Sequence, residues 1–408
     1  MNIIYLTLDD FESLNSYRSI NTDLLRVFRD KGHKVYVISP EERKKGGRTR
    51  LIEEDGAYIL KPRIGNIQKT NFIEKGISTV TIGSILNRAV NRYLSGVHFD
   101  LIMYCTPPIT FLSTIRYLKK RDGAKTYLIL KDIFPQNAVD IGILGESGIK
   151  GLLFKYFRDQ EKKLYKISDK IGCMSPANIR FVIEHNPEID PSKVEECPNC
   201  VEVSDKSVTP DLRFELRSRY GIPQDKTVFV YGGNLGRPQG IPFLIECLKK
   251  CSDIKDAFFL IVGNGTEYGL LDEYVKTSGQ KNVKLMSQLP RDDYDNMVGA
   301  CDIGMIFLDH RFTIPNFPSR MLSYMAAGLP VLACTDRSTD LGKVITEGGF
   351  GWWRESNDAD KVRELILEII DSGYDHMGDQ GFDYLNMYYP VTRAYDIIIK
   401  NFEEREGI

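Results

Sequence analysis

Short apolar, β-branched runs alternate with helical periodicity along the whole chain. Residues 2–8, 34–39, 99–105, 125–131 and 170–174 read as buried strands. Between the first two, Leu24, Leu25 and Phe28 fall on one helical face, and Gly32 ends that helix. The rhythm restarts near residue 227, with strands expected at 227–233, 257–263, 282–286, 302–307 and 330–333, each separated by helical stretches. Strand, helix and strand in succession imply mostly parallel sheets with helices on both faces. The fold class expected is therefore α/β, with two doubly wound Rossmann-like domains in series and facing a cleft.

Residues 203–212 are polar, contain a proline and lack periodicity, so they read as a linker. Domains are expected at 1–203 and 204–387. Residues 388–408 form an amphipathic terminal helix with Tyr395, Ile398 and Phe402 on one side. The apolar start gives way at once to Asp9 and Asp10, so it reads as a first strand and not as a secretory leader. No run of about 18 apolar residues is present to span a bilayer.

Composition changes this picture little: 42% hydrophobic and 27% charged residues suit two buried cores. Eight scattered cysteines suit a reducing cytoplasm. Cys197 and Cys200 have metal or redox spacing, but no second pair accompanies them, so no metal site is assigned. Charge changes it more. Residues 1–200 hold 31 Lys+Arg against 24 Asp+Glu, and the remainder 23 against 32. A basic first half would meet phosphate groups or a lipid surface; drift on solvated faces accounts for the asymmetry as well. No motif points to nucleic acid.

In open α/β sheets ligands lie beyond the carboxyl ends of the strands, and the candidate chemistry follows strands. Gly232, Gly233, Asn234, Gly236 and Arg237 come at and after the end of the strand at 227–233. Glycines there let backbone approach a ligand, and free N–H groups and a guanidinium suit phosphate oxygens. The pattern is neither a P-loop nor G-x-G-x-x-G, which argues against ATP or NAD. A second loop runs from Gly263 to Glu267. Gln288 and Leu289 follow a further strand, where a backbone edge and an amide could read a nucleobase; an ordinary surface turn fits equally. In "PSRMLSYMAAGLPVLAC" (318–334), Ala326, Ala327 and Gly328 allow close packing, and Ser319 and Arg320 open a helix.

Taken in order, "GGNLGRPQGI", "IVGNG", "LPRDDYDNMVGACDIGMI" and "PSRMLSYMAAGLPVLA" resemble the C-terminal domain of glycosyltransferase family 4, the GT-B group. In the first half, "GHKVYVISP" and "MSPANIRFVIE…CPN" are similar to segments of the same family, and "LKDIFPQNAVDIGIL" is similar to a segment of its bacterial members that build capsule and O-antigen sugars. The resemblance implies a retaining glycosyltransferase with a UDP-sugar donor, a glycan or polyprenyl-diphosphate-linked acceptor, and no required metal or cofactor. It implies a terminal helix crossing back to the first domain. The Gly233–Asn234 loop and Arg237 would meet the diphosphate, with Gly232 and Gly263 beside it. Arg320, where relatives carry lysine, would add a second charge above the N–H groups of Ser319 and Arg320. Gln288 and Leu289 would line the base. The chain departs from the family's E-x7-E pair, with Pro315 and Ser323 at those positions. Ser323, Asp309 or another group would then hold the ribose.

On the acceptor side Asp132 follows a strand and would orient or deprotonate the acceptor hydroxyl; capping the next turn is the alternative. Lys131 and Gln136 are its lesser neighbours, and Asp9 and Asp10, after the first strand, would face the acceptor or else form a plain loop. The basic loop 41–50 and the helix 150–166, with Leu152, Leu153, Phe154 and Phe157, would touch the inner membrane face, or else the helix packs on its own sheet. Two other functions fit the same architecture. One is a UDP-sugar 2-epimerase, for which His310 is the only nearby histidine; the other is a nucleotide-sugar-binding subunit with little turnover.

Overall fold

A computed structural model describes residues 1–67, 72–145, 147–374 and 376–402 of the chain. The chain divides into two compact units. One is Met1–Glu202 with the segment from Val391 onward; the other is Val203–Pro390.

The first unit carries β1 (Asn2–Leu6), β2 (Lys34–Ile38), β3 (Glu41–Glu42), β4 (Arg50–Glu54), β5 (Ala57–Lys61), β6 (Arg63–Ile64), β7 (Leu101–Thr106), β8 (Lys125–Leu130), β9 (Lys170–Cys173) and β10 (Val194–Glu196). Eight of them form one sheet in the order β10-β9-β8-β7-β1-β2-β5-β4, parallel except for β4 against β5. β3 and β6 pair separately. The strand order reverses between β1 and β7, which leaves a crevice at their carboxyl ends. β7 is buried at every residue because helices cover both faces, so its sequence is a continuous apolar run and not an alternation.

The hairpin β4–β5 was not among the expected strands. Its turn places Asp55 at φ 41° and Gly56 at φ 79°, and an Asp-Gly pair is a strong local signal for such a turn. The helix Ile20–Asp30 matches its pattern. Ser19 and Thr22 form a capping box, and Leu24, Leu25 and Phe28 are buried.

Two expectations need correcting. The linker reading of 203–212 runs into a helix, Pro210–Tyr220, capped by Thr209 with Pro210 in its first turn. Its weak periodicity hid the fact that it is anchored by polar contacts. Arg217 is 1% exposed and holds Asp302 at 2.5 Å. The terminal helix expected over 388–408 is present but shorter, Val391–Ile399, and a separate helix, Met377–Tyr388, precedes it with Pro390 between the two. The terminal one lies on the helix Ile20–Asp30, with Tyr395 edge-on to Phe28 at 4.8 Å. Residues 403–408 of the expected helix lie outside the described residues. Among the described residues no helix is long and apolar enough to cross a membrane.

The second unit is built on six parallel strands: β11 (Thr227–Asn234), β12 (Ala257–Asn264), β13 (Val283–Met286), β14 (Ile303–Phe307), β15 (Val331–Thr335) and β16 (Gly351–Glu355). Their order, β13-β12-β11-β14-β15-β16, is that of a Rossmann fold, and the direction of winding reverses between β11 and β14. One core joins Phe229, Tyr231, Ile261, Met305 and Leu332 to Leu244 and Leu248 of the helix Ile241–Lys250. Small residues permit its tightest contacts. A Cβ on Gly304 would lie 2.2 Å from the Tyr324 ring, so that ring lies directly on β14.

Candidate active site

At the β11/β14 reversal the end of β11 is the glycine turn. A Cβ on Gly232 would sit 1.8 Å from Tyr294 Oη, and Gly233 adopts φ 121°, so both positions need glycine. The Gly233 carbonyl approaches β12 so closely that a Cβ on Gly263 would fall 1.8 Å from it. Gly232 N–H donates to Tyr324 Oη at 3.1 Å, which donates to Met305 O at 3.0 Å. Asn234 gives its side-chain amide to Gln239 at 3.1 Å and so braces the loop.

Arg320 begins a helix of only seven residues, Arg320–Ala326. Its guanidinium lies 4.6 Å from the Tyr231 ring centroid. A Cβ on Gly233 would be 3.5 Å from Arg320 Nη2, so the charge sits against the glycine turn. Nη1 is buried and has no hydrogen-bond partner. Tyr231, Tyr324 and Tyr294 face the guanidinium electrostatically, and among the described residues it forms no ion pair with a carboxylate. Arg237 differs. Its side chain is 57% exposed, with Nε 3.7 Å from Glu267.

Ser319 precedes this helix and is exposed, and Ser323 is half-buried one turn after Arg320. Asp309, a candidate substitute for the missing glutamates, is engaged elsewhere. Arg311 holds it through Nε at 2.9 Å and Nη2 at 2.6 Å. Burial pushes its carboxyl up, but those bonds and that charge outweigh burial and hold it below the ordinary aspartate value. Gln288 is exposed and Leu289 half-buried in the loop after β13.

In the first unit Asp132 follows β8. It does not cap the next helix, Gln136–Asp140, whose N-cap is Pro135. Asn137 donates to its Oδ2 at 2.8 Å, while its Oδ1 is buried without a partner. Burial pushes its carboxyl up to about 6. Lys131 donates to Asn21, which donates to Asp9 at 2.7 Å, so these residues bridge the ends of β8 and β1. Gln136 donates to Asp140 at 2.8 Å. Asp10 pairs with Lys45 and with Lys61, which is fully buried. Burial opposes ionisation of Asp10, but the two lysines prevail and lower its carboxyl.

Residues 213–381 match the model of the family described as glycosyl transferases group 1. A protein of Pseudomonas aeruginosa named as a probable glycosyltransferase, WbjE, is 27% identical over 68% of this chain and 68% of its own length. A candidate colanic acid biosynthesis glycosyl transferase of Escherichia coli K12, WcaI, is 23% identical over 60% of each chain. The crystal structure of Anabaena HepE in complex with UDP superposes with a TM-score of 0.70 at 15% identity, covering 98% of this chain and 99% of that one. Sucrose-phosphate synthase from Thermosynechococcus elongatus gives 0.75 at 13% identity, covering 98% of each. Residues 213–381 are a group 1 glycosyl transferase domain, and the chain has the GT-B fold.

In this domain the sequence-named residues gather in part. Gly232, Gly233 and Arg320 form one cluster, and Gly263 supports it from β12. Asn234 is turned to its own loop. Glu267, which sequence reasoning did not assign, lies beside Arg237 and within the electrostatic reach of Arg311, with Oε2 buried and unpartnered. The available signal was an acid closing the second glycine loop. Tyr231, Tyr294 and Tyr324 were missed as a group because they come from three separate elements.

In the loop 41–50, expected at a membrane, the charges answer one another. Lys44 meets Glu42 at 2.6 Å, Lys45 meets Asp10, and Arg50 meets Glu41 at 2.9 Å. Asp10, Glu41, Lys45 and Arg50 line an open depression of about 660 Å³ together with Phe11, Glu12, Gly46 and Gly47. Cys197 and Cys200 are both free and 2% exposed, and burial pushes each thiol up to about 12.

Proposed function

We propose that this glycosyl transferase moves a sugar from a UDP-sugar to a lipid-linked glycan acceptor in surface polysaccharide assembly, with retention at the anomeric carbon. The observation that carries the reading is Arg320, a cation without a carboxylate ion pair among the described residues, set against the glycine turn at the winding reversal of the second sheet. Breaking the bond between C1 and the diphosphate oxygen sends the electron pair to that oxygen. A fixed guanidinium and backbone N–H groups stabilise the charge that develops there. Retention follows if the acceptor oxygen attacks the face that the diphosphate leaves, with the acceptor proton passing to the departing phosphate. Asp132 would orient the acceptor hydroxyl, and a carboxyl titrating near 6 is ionised at neutral pH and able to accept its hydrogen bond. Preorganised cations could supply the charge stabilisation without a metal. The colanic acid pathway in the name of WcaI favours a role in building sugar polymers.

The acceptor class is supported by the helix Gly148–Ile167. It carries six basic against two acidic residues. Ile149 is 80% exposed, Leu152 69% and Tyr156 52%, all on one face, with Ile143 near its start. Lys150 and Lys155 are exposed among them. Phe154 and Phe157, among the apolar residues singled out from sequence, are half-buried instead. This face suits an anionic bilayer, where apolar burial and lysine–headgroup attraction act together.

The test is UDP binding and donor turnover. UDP should raise Tm, and UDP should be released from one UDP-sugar of a panel by slow hydrolysis. No protection by UDP and no release from any UDP-sugar would remove the reading. Sedimentation with phosphatidylglycerol vesicles should be lost in an Ile149→Ser, Leu152→Ser variant; equal binding to phosphatidylcholine vesicles would count against the anionic surface.

A further inference from the structure

Most arginines of the second unit, among them Arg217, Arg237, Arg311 and Arg363, lie within ion-pair distance of a carboxylate. Arg320 has no such pair among the described residues, although it is half-buried, with Nη1 fully buried, against the glycine turn. A carboxylate beside it would fix the guanidinium but cancel its charge. An aromatic face fixes it by the ring quadrupole and by stacking, and leaves the charge for a ligand anion. The ring of Tyr231 is that face, at 4.6 Å from Arg320 Cζ. The same side chain donates its hydroxyl proton to the Asn234 carbonyl at 2.7 Å, so it also ties down the glycine turn. Its own ring is fixed in the core beside Phe307, and Tyr231 has no exposed surface.

We propose that Tyr231 is a positioning residue that sets the Arg320 guanidinium and the Gly233–Asn234 turn in one geometry for the donor's diphosphate. The proposal rests on the reading of this site as the diphosphate site. Tyr294 and Tyr324 complete the cradle from outside the ring contact: Tyr294 Oη occupies the space that a Cβ on Gly232 would take, and Tyr324 Oη receives the Gly232 N–H.

A series at position 231 tests this without changing shape: phenylalanine, then 4-fluoro-, 3,5-difluoro- and 3,4,5-trifluorophenylalanine. Fluorine withdraws the negative charge of the ring face while the ring keeps nearly its volume, so all members should fold. UDP affinity is measured by calorimetry, in the wild-type background and with Arg320→Met. Tyr231→Phe should bind UDP within about 3-fold of wild type, the loss reflecting the missing bond to the Asn234 carbonyl. Affinity should then fall stepwise across the series by a total of about 10-fold, the size of a partly desolvated cation–π contact. In the Arg320→Met background the series should be flat. A flat series in the wild-type background, or equal losses with and without Arg320, overturns the positioning role and leaves Tyr231 a core residue only. If Arg320→Met alone leaves UDP affinity unchanged, the diphosphate reading fails first and the inference falls with it.

Discussion

Replacing Asp132 by asparagine should make the protein more stable and less active, and the stability gain should depend on pH. Burial pushes this carboxyl up to about 6, from an ordinary aspartate value of 3.8. A raised folded-state value means that the native protein keeps a proton which the unfolded chain releases between about pH 4 and pH 6. The stability associated with this proton is therefore fully present below about pH 4 and lost as pH rises through about 6. Two pH units correspond to about 3 kcal/mol at about 1.36 kcal/mol per unit. Asp132 is half-buried, so screening reduces the realised value to about 2 kcal/mol. Asparagine carries no charge to desolvate and can keep an acceptor for the Asn137 amide. It also brings an N–H donor beside Asn137, whose Oδ1 is a buried acceptor without a partner. At pH 7 Asp132→Asn should thus gain about 2 kcal/mol, or roughly 4–8 °C in Tm for a unit of this size. Glycosyl transfer should fall about 100-fold or more, as expected when an acceptor-activating carboxylate is removed. Urea unfolding of both proteins from pH 4 to 8 measures the difference. Far-UV circular dichroism is the probe, because both tryptophans, Trp352 and Trp353, lie in β16 of the other unit. A gap that stays constant with pH, or an Asp132→Asn protein less stable at pH 7, would refute the desolvation argument.

Other perturbations have equally definite outcomes. Arg320→Met should lower kcat/KM about 100-fold or more with little change in Tm, because it removes a transition-state cation but no ion pair; Arg320→Lys should recover only part, lacking a planar group to stack on Tyr231. Arg237→Ala should cost about 10-fold, with the loss shrinking in high salt, since this side chain is exposed and shares its charge with Glu267. Gly263→Ala should destabilise by about 2 kcal/mol or more in urea titrations, as its Cβ meets the backbone carbonyl of Gly233, whereas Gly328→Ala meets nothing within 4 Å and bears only the strain of φ 68°, about 1 kcal/mol. With saturating donor, log kcat should rise with pH and level above about pH 6 as Asp132 ionises; a flat profile from pH 5 to 7 would deny it a part in turnover.

Strand and turn chemistry is local, and so the two βαβ series could be read from the chain. A buried parallel strand such as 303–307 is an apolar run whatever lies beside it, and Gly232, Gly233 and Arg320 carry their phosphate chemistry in their own side chains or lack of them. Other features depend on register between segments far apart in the chain. Pairing of β11 with β12 sets Gly233 opposite Gly263, and only then does the absence of a side chain at Gly263 admit the Gly233 carbonyl. Nothing in the sequence groups Tyr231, Tyr294 and Tyr324, which lie in three separate elements. Arg320 is legible there as a cation for phosphate, but its freedom from acidic partners is not. Folding brings three strand and helix positions together around that one guanidinium and gives it no carboxylate ion pair among the described residues. The isolation of the charge follows from non-local packing, which short-range periodicity does not encode.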